Sequence, residues 1–145
     1  MLEGAKKVVV DASVVVKWFV PEKYYEEALK LRDAYLNGRV ELMSPRLIIY
    51  EVANALGFHR VYKLSSEDIV SAVRDIIDLG IIRRLSLEGW LKAVKLSIDR
   101  GVSIYDAVYG AMALISNGIL VTNDEELRER IGDRIRVIML DELDL

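Results

Sequence analysis

The chain has 145 residues, 52% hydrophobic and 30% charged, with a formal net charge of -3 at pH 7; this suits one compact, core-forming domain over residues 1–145 and excludes a disordered chain. Cysteine is absent, which excludes disulfides and thiolate zinc sites and makes a reducing cytoplasm the expected setting. No apolar run is long enough to cross a membrane, Met1 to Lys7 lacks the apolar core and cleavage site of a signal peptide, and the acidic balance leaves any nucleic-acid contact to a local basic patch.

Lys7-Val8-Val9-Val10 is a short β-branched run ending in Asp11, a buried strand followed by a turn. Ala12 to Phe19 reads as a short helix closed near Pro21. Tyr24 to Leu36 carries Ala28, Leu31 and Tyr35 at helical spacing and stops at Asn37-Gly38. Val40 to Met43 is a second strand. Pro45 to Leu56 reads as a helix with Ser44 as N-cap and Pro45 at the first helical position. Ser65-Ser66-Glu67-Asp68 opens another helix, which runs to Leu79 before Gly80. Ile81 to Leu85 is a third strand, Ser86 to Asp99 a helix, and Ser103 to Ser116 a long helix ending at Asn117-Gly118. Ile119 to Thr122 is a fourth strand, Asp124 to Ile131 a short helix, and Ile135 to Leu140 a fifth strand. Strands alternating with helices, several of them continuous apolar runs, predict an α/β domain with a parallel sheet covered on both faces. No repeat, linker or low-complexity tract interrupts it. Glutamine is absent and only four Asn and one His occur, which fits a thermophilic source as well as chance in a short chain.

Four acids stand out. Glu51 is mid-helix and borders the apolar face made by Leu47, Ile48, Val52 and Ala55. A carboxylate there is costly unless something compensates it. Asp11 follows the first strand, Asp124 lies two residues beyond the fourth, and Asp106 sits in the first turn of the long helix. In open parallel sheets, ligands bind beyond the carboxyl ends of the strands where strand order reverses. Each acid also has a bland explanation: Asp11 and Asp124 suit helix N-caps, and Asp106 suits a capping arrangement with Ser103. Glu51 has no such explanation, and one cation-binding cluster accounts for all four. Hard divalent ions prefer carboxylate oxygens and can activate water against a phosphodiester. The lack of Cys and the lone His59 argue against zinc.

The run Val8-Val9-Val10-Asp11-Ala12-Ser13, then Glu51 with Asn54, then Tyr105-Asp106-Ala107, then Thr122-Asn123-Asp124 resembles the PIN-domain nucleases. Asp11-Ala12-Ser13-Val14-Val15-Val16-Lys17-Trp18-Phe19 resembles specifically the VapC-type toxins of toxin–antitoxin pairs. The resemblance covers essentially the whole chain. It implies a PIN-like three-layer sandwich whose five-stranded parallel sheet has the order 3-2-1-4-5, with strands one and four side by side. It implies an Mg²⁺- or Mn²⁺-dependent endoribonuclease whose water attacks in line, leaving a 5′-phosphate and a 3′-hydroxyl on the RNA. Carried over by position, Asp11, Glu51, Asp106 and Asp124 are the catalytic, metal-holding acids. Ser13 and Thr122 are polar helpers in catalysis, and Asn54 is a weaker candidate. The implied partners are RNA, a second copy in a homodimer, and an antitoxin that reaches into the acidic pocket. Gly110 departs from the family's usual larger apolar residue, and close helix packing is the expected compensation.

Other residues carry weaker signals. His59 lies about two turns beyond Glu51, roughly 12 Å along a helix, too far for a general base, and suits a surface role. Lys17, Arg46, Arg60 and Lys63 suit either phosphate contacts or a solvated face. Trp18, Phe19 and Trp90 suit the core or a dimer interface. Arg83-Arg84 suggests no role. A phosphorylation receiver is excluded: it needs a second acid near the first strand and a Lys ending the last strand, where the sequence has Met139-Leu140-Asp141. A PIN nuclease of RNA processing and a non-catalytic PIN-fold binding module remain as alternatives.

Overall fold

The structure is a computed structural model that describes residues 6–145. The expectation drawn from Met1 to Lys7 falls mainly on residues 1–5, outside the described residues. Five strands, β1 (Lys6–Val10), β2 (Val40–Pro45), β3 (Ile82–Arg83), β4 (Ile119–Thr122) and β5 (Val137–Met139), form one sheet. Its order is β3-β2-β1-β4-β5, as expected, and every neighbouring pair is parallel. Among the described residues, seven α-helices flank it: α1 (Ala12–Val15), α2 (Tyr25–Leu36), α3 (Leu47–Gly57), α4 (Ser66–Asp78), α5 (Leu87–Arg100), α6 (Ile104–Ser116) and α7 (Glu125–Ile131). No helix among the described residues is long and apolar enough to cross a membrane.

The three consecutive valines of β1 and all of β4 are buried. Successive strand residues point to opposite faces, so both faces of the sheet centre are covered. α6 packs on β1, β2 and β4, and α5 lies against α6. Ala107 to Ala113 are all buried, so the middle of α6 is enclosed on every side. A Cβ on Gly110 would stand 2.8 Å from Ile135 Cδ1 and 2.9 Å from Leu96 Cδ2, so the close packing expected there is present. Several expected signals operate as read: Ser65 and Asp68 form a capping box, and Gly101 closes α5 with a φ of 65°.

Three elements differ from expectation. Pro45 ends β2 and pairs with Arg83 of β3, and Ser44 is no N-cap. The Ser44 hydroxyl instead donates to the Val10 carbonyl, tying the ends of β1 and β2 together. The third strand shrinks from Ile81–Leu85 to two residues, because it is an edge whose ladder to β2 covers only Ile82 and Arg83. The fifth stops at Met139, where a 3-10 turn over Leu140–Glu142 begins and the Glu142 carboxylate accepts from the Met139 amide.

Candidate active site

Asp11 immediately follows β1 and Thr122 ends β4, adjacent strands between which strand order reverses. Asp11 occupies the N-cap position of α1, yet its side chain does not cap it. The carboxylate instead accepts from Ser13 Oγ at 2.6 Å on one oxygen and from Thr122 Oγ1 at 2.5 Å on the other. Both hydroxyls are oriented by the next loop: the Asn123 amide donates to Ser13 Oγ at 2.8 Å, and the Asp124 amide to Thr122 Oγ1 at 3.0 Å. A hydroxyl has one proton, so each sends it to Asp11 and accepts on its lone pairs. Ser13 and Thr122 therefore lie where polar helpers of Asp11 are expected. Asp11 is buried, which pushes its pKa from 3.8 up to about 6 against these hydrogen bonds, and the Asp124 charge adds to the rise. Asp124 is exposed and does cap α7, accepting from the Leu127 amide at 3.1 Å.

Glu51 is half-buried on α3, and burial raises its pKa. Its compensation is Tyr109 of α6, whose hydroxyl donates to Glu51 Oε1 at 2.5 Å. Burial, then that bond, push the Tyr109 pKa up, so the phenol stays a donor. Sequence reasoning missed Tyr109. The available signal was its position three residues after Asp106 on a buried helix, since a buried tyrosine hydroxyl needs a partner. Asp106 is half-buried; its amide donates to Ser103 Oγ, so the cap explanation holds for its backbone. Burial, then the Asp124 charge, raise the Asp106 carboxyl. Asp106 and Asp124 line one cleft of about 170 Å³.

The four acids thus form a chain of mutual repulsion: Asp11 with Asp124, Asp124 with Asp106, and Asp106 with Glu51. Among the described residues, no three acid, His or Cys side chains converge closely enough to cage an ion as they lie. The reason is local: Asp11 faces two hydroxyls, Asp124 faces its own helix, and Glu51 faces Tyr109. Asn54 is exposed and is not drawn into this chain.

The remaining candidates sort differently. The His59 side chain is 12% exposed, no surface residue. Its Nδ1 accepts from the Val61 and Tyr62 amides, so Nε2 carries the proton and donates to Glu22 at 2.6 Å. Lys17 is buried and completes this cluster through Glu22 at 3.3 Å, so it is no phosphate ligand. Trp18 is in the core with its indole N–H on the Ala28 carbonyl. Arg60 and Lys63 are exposed. Trp90, Arg46, Arg83 and Arg84 line one large groove.

With that geometry in place, the chain can be set beside known proteins. It is 33% identical over 128 residues to Ribonuclease VapC3 of Pyrobaculum aerophilum, covering 86% of this chain and 94% of that protein. It is 30% identical over 106 residues to Exonuclease VapC9 of the same organism, covering 72% and 78% respectively. Its fold matches a toxin–antitoxin complex from Klebsiella pneumoniae with a TM-score of 0.66 at 15% identity, covering 94% of this chain and 99% of the other. The sequence profile of the PIN domain matches residues 8–132. The chain belongs to the PIN-domain family.

Proposed function

We propose that the chain is a single-domain ribonuclease that hydrolyses RNA phosphodiester bonds with a divalent cation, and that it is the toxin of a toxin–antitoxin pair. The observation that carries this reading is the chain of mutually repelling acids at the switch point, three of them with raised pKa values. Like charges that raise one another's proton affinity favour a bound cation or shared protons. The donor set fits a hard ion: it is carboxylate-rich, without Cys, and the lone His59 is engaged elsewhere. Mg²⁺ or Mn²⁺ is our reading on that chemistry. Asp11, Glu51, Asp106 and Asp124 would hold it. Bound there, the ion would lower the pKa of a water and offset charge on the phosphodiester.

The protein's own residues prepare the site. Ser13 and Thr122 hold both oxygens of Asp11, so its carboxylate keeps one orientation. The Leu127 amide at the N-terminus of α7 holds one oxygen of Asp124, and Tyr109 holds one oxygen of Glu51. Preorganised acceptors need no reorganisation when charge develops. The relatives named as a ribonuclease and an exonuclease support phosphodiester hydrolysis. Internal cleavage leaving a 5′-phosphate is our reading of how the site acts, and mapping product ends decides it.

The fold shared with a toxin–antitoxin complex supports an antitoxin partner. A homodimer is supported by α5, where Leu91 and Ile98 are 66% and 77% exposed and Val94 completes the stripe. The mass in solution tests that. The test of the enzyme is Asp11→Asn. Cleavage of cellular RNA with Mn²⁺ should fall by at least about a hundredfold, with the circular dichroism spectrum retained. Undiminished cleavage by this variant would sink the assignment.

A further inference from the structure

Beside the acids lies a groove of about 870 Å³. Its volume is in the range of sites that bind small organic ligands, roughly 300–1,000 Å³. It is bounded by Arg46 and Leu47 at the start of α3, Arg83 and Arg84 at β3, Trp90 of α5, and Tyr105 of α6. No acidic residue lines it, although the chain carries a net charge of -3. The side chains of Arg46 and Arg84 make no hydrogen bond or ion pair with any described residue, so both guanidinium groups are free to take a ligand. Arg83 is only partly so, since one of its nitrogens donates to the Gly80 and Ile82 carbonyls. Trp90 and Tyr105 are both exposed, so their rings lie open in this groove.

The groove adjoins the acids through the two helices that carry them. Tyr105 immediately precedes Asp106 on α6, and Leu47 lies four residues, about one turn, before Glu51 on α3. A ligand lying along the groove would therefore have one end at the acids.

We propose that this groove is a subsite for unpaired RNA nucleotides flanking the scissile phosphate. Trp90 and Tyr105 stack on bases, and Arg46 and Arg84 take backbone phosphates. The proposal rests on the nuclease reading above and adds to it where the strand lies. Free guanidinium groups beside open aromatic faces, with no carboxylate among them, form the combination that holds single strands: planar groups for bases and a fixed fork of donors for phosphate. Duplex RNA presents no open base faces to such a groove and should bind there poorly.

The test is fluorescence anisotropy with a labelled single-stranded RNA of about 12 nucleotides, in EDTA so that nothing is cut. Arg46→Ala/Arg84→Ala should weaken binding at least tenfold. It should also reduce the slope of log affinity against log salt by about 1.4, the value for two lost phosphate contacts on a single strand. Trp90→Leu keeps an apolar wall, removes a stacking face, and should cost roughly tenfold. Arg46→Lys/Arg84→Lys should restore part of the affinity and most of the salt slope. Thermal melts check that each variant is folded. Unchanged RNA affinity in the double alanine variant would overturn the proposal, as would a wild-type protein that prefers duplex or fails to bind. So would a change in oligomeric mass or antitoxin binding without a change in RNA affinity, which makes the groove a protein interface. Cleavage with Mn²⁺ is scored separately. Wild-type cleavage with an unchanged KM in the groove variants sinks the groove alone, whereas groove-dependent binding without any cleavage sinks the nuclease reading alone.

Discussion

At the scale of single residues, Asp11 makes stability depend on pH. Its carboxyl has an ordinary pKa of 3.8 and sits at about 6 in the fold, so the folded state holds the proton more tightly. Below 3.8 the acid is protonated in both states and costs nothing; the penalty grows through that interval and is complete above about 6. At about 1.4 kcal/mol per tenfold change in proton affinity, it is on the order of 3 kcal/mol. Urea melts of the cation-free protein should show stability falling as pH rises from about 4 to about 7, and Asp11→Asn should remove most of that fall. Tyr109 gives a second expectation. Its hydroxyl holds the Glu51 carboxyl down against burial. Tyr109→Phe should raise the Glu51 pKa further, so the pH at which Mn²⁺ affinity is half lost should move upward in calorimetric titrations. A Tyr109 that only fills space would leave that midpoint where it is. The acids were legible in the sequence because Glu51 violates its helix pattern and Asp11 and Asp124 follow apolar strands. Tyr109 and the Lys17–Glu22–His59 cluster were not. Their partners lie 58 residues away for Tyr109 and 37 for His59, and no local pattern records such a pairing.

At the scale of elements, α6 is the piece on which the site depends most. It carries Asp106 and Tyr109, and its middle is buried all round between the sheet and α5. Gly110 sets how closely it can approach, with Ile135, Leu96 and Ile131 all within 3.2 Å of where a Cβ would be. Gly110→Leu should therefore cost about 1–3 kcal/mol by overpacking, read as a lower urea midpoint with an unchanged slope. Helix stops, the Ser65 capping box and the order of elements were readable from local chemistry. The junction of β2 and α3 was not. Ser44-Pro45 has the local form of a helix start, but ladder pairing with β3 and the Val10 carbonyl draw both residues into the strand. Pro45 is tolerated there because the ladder between β1 and β2 ends at Met43, so no β1 partner is lost with its missing N–H.

At the scale of the whole molecule, the acids act against the fold that gathers them. Asp106→Asn removes one member of the repelling chain and should raise the melting temperature of the cation-free protein. Adding Mn²⁺ should raise the wild-type value more than the variant's, because a ligand stabilises only the state that binds it. A cation-free variant that melts below wild type would count against mutual repulsion. The alternation of strands and helices showed the parallel α/β class, whereas the strand order came from family resemblance, since side-chain pattern alone does not say which strand lies beside β1. That β4 is the neighbour has a consequence for how the protein is made. β1 is made well before β4, so one of its edges has no partner until Ile119 to Thr122 have been synthesised. The hydroxyl of Thr122 and the carboxylate of Asp124 come later than almost everything else in the site. A nascent chain that has reached α6 already carries Asp11, Glu51 and Asp106 but cannot bring them to a finished switch point. An enzyme that cut RNA would thus be harmless to the messenger encoding it until β4 and the residues just beyond it had been made.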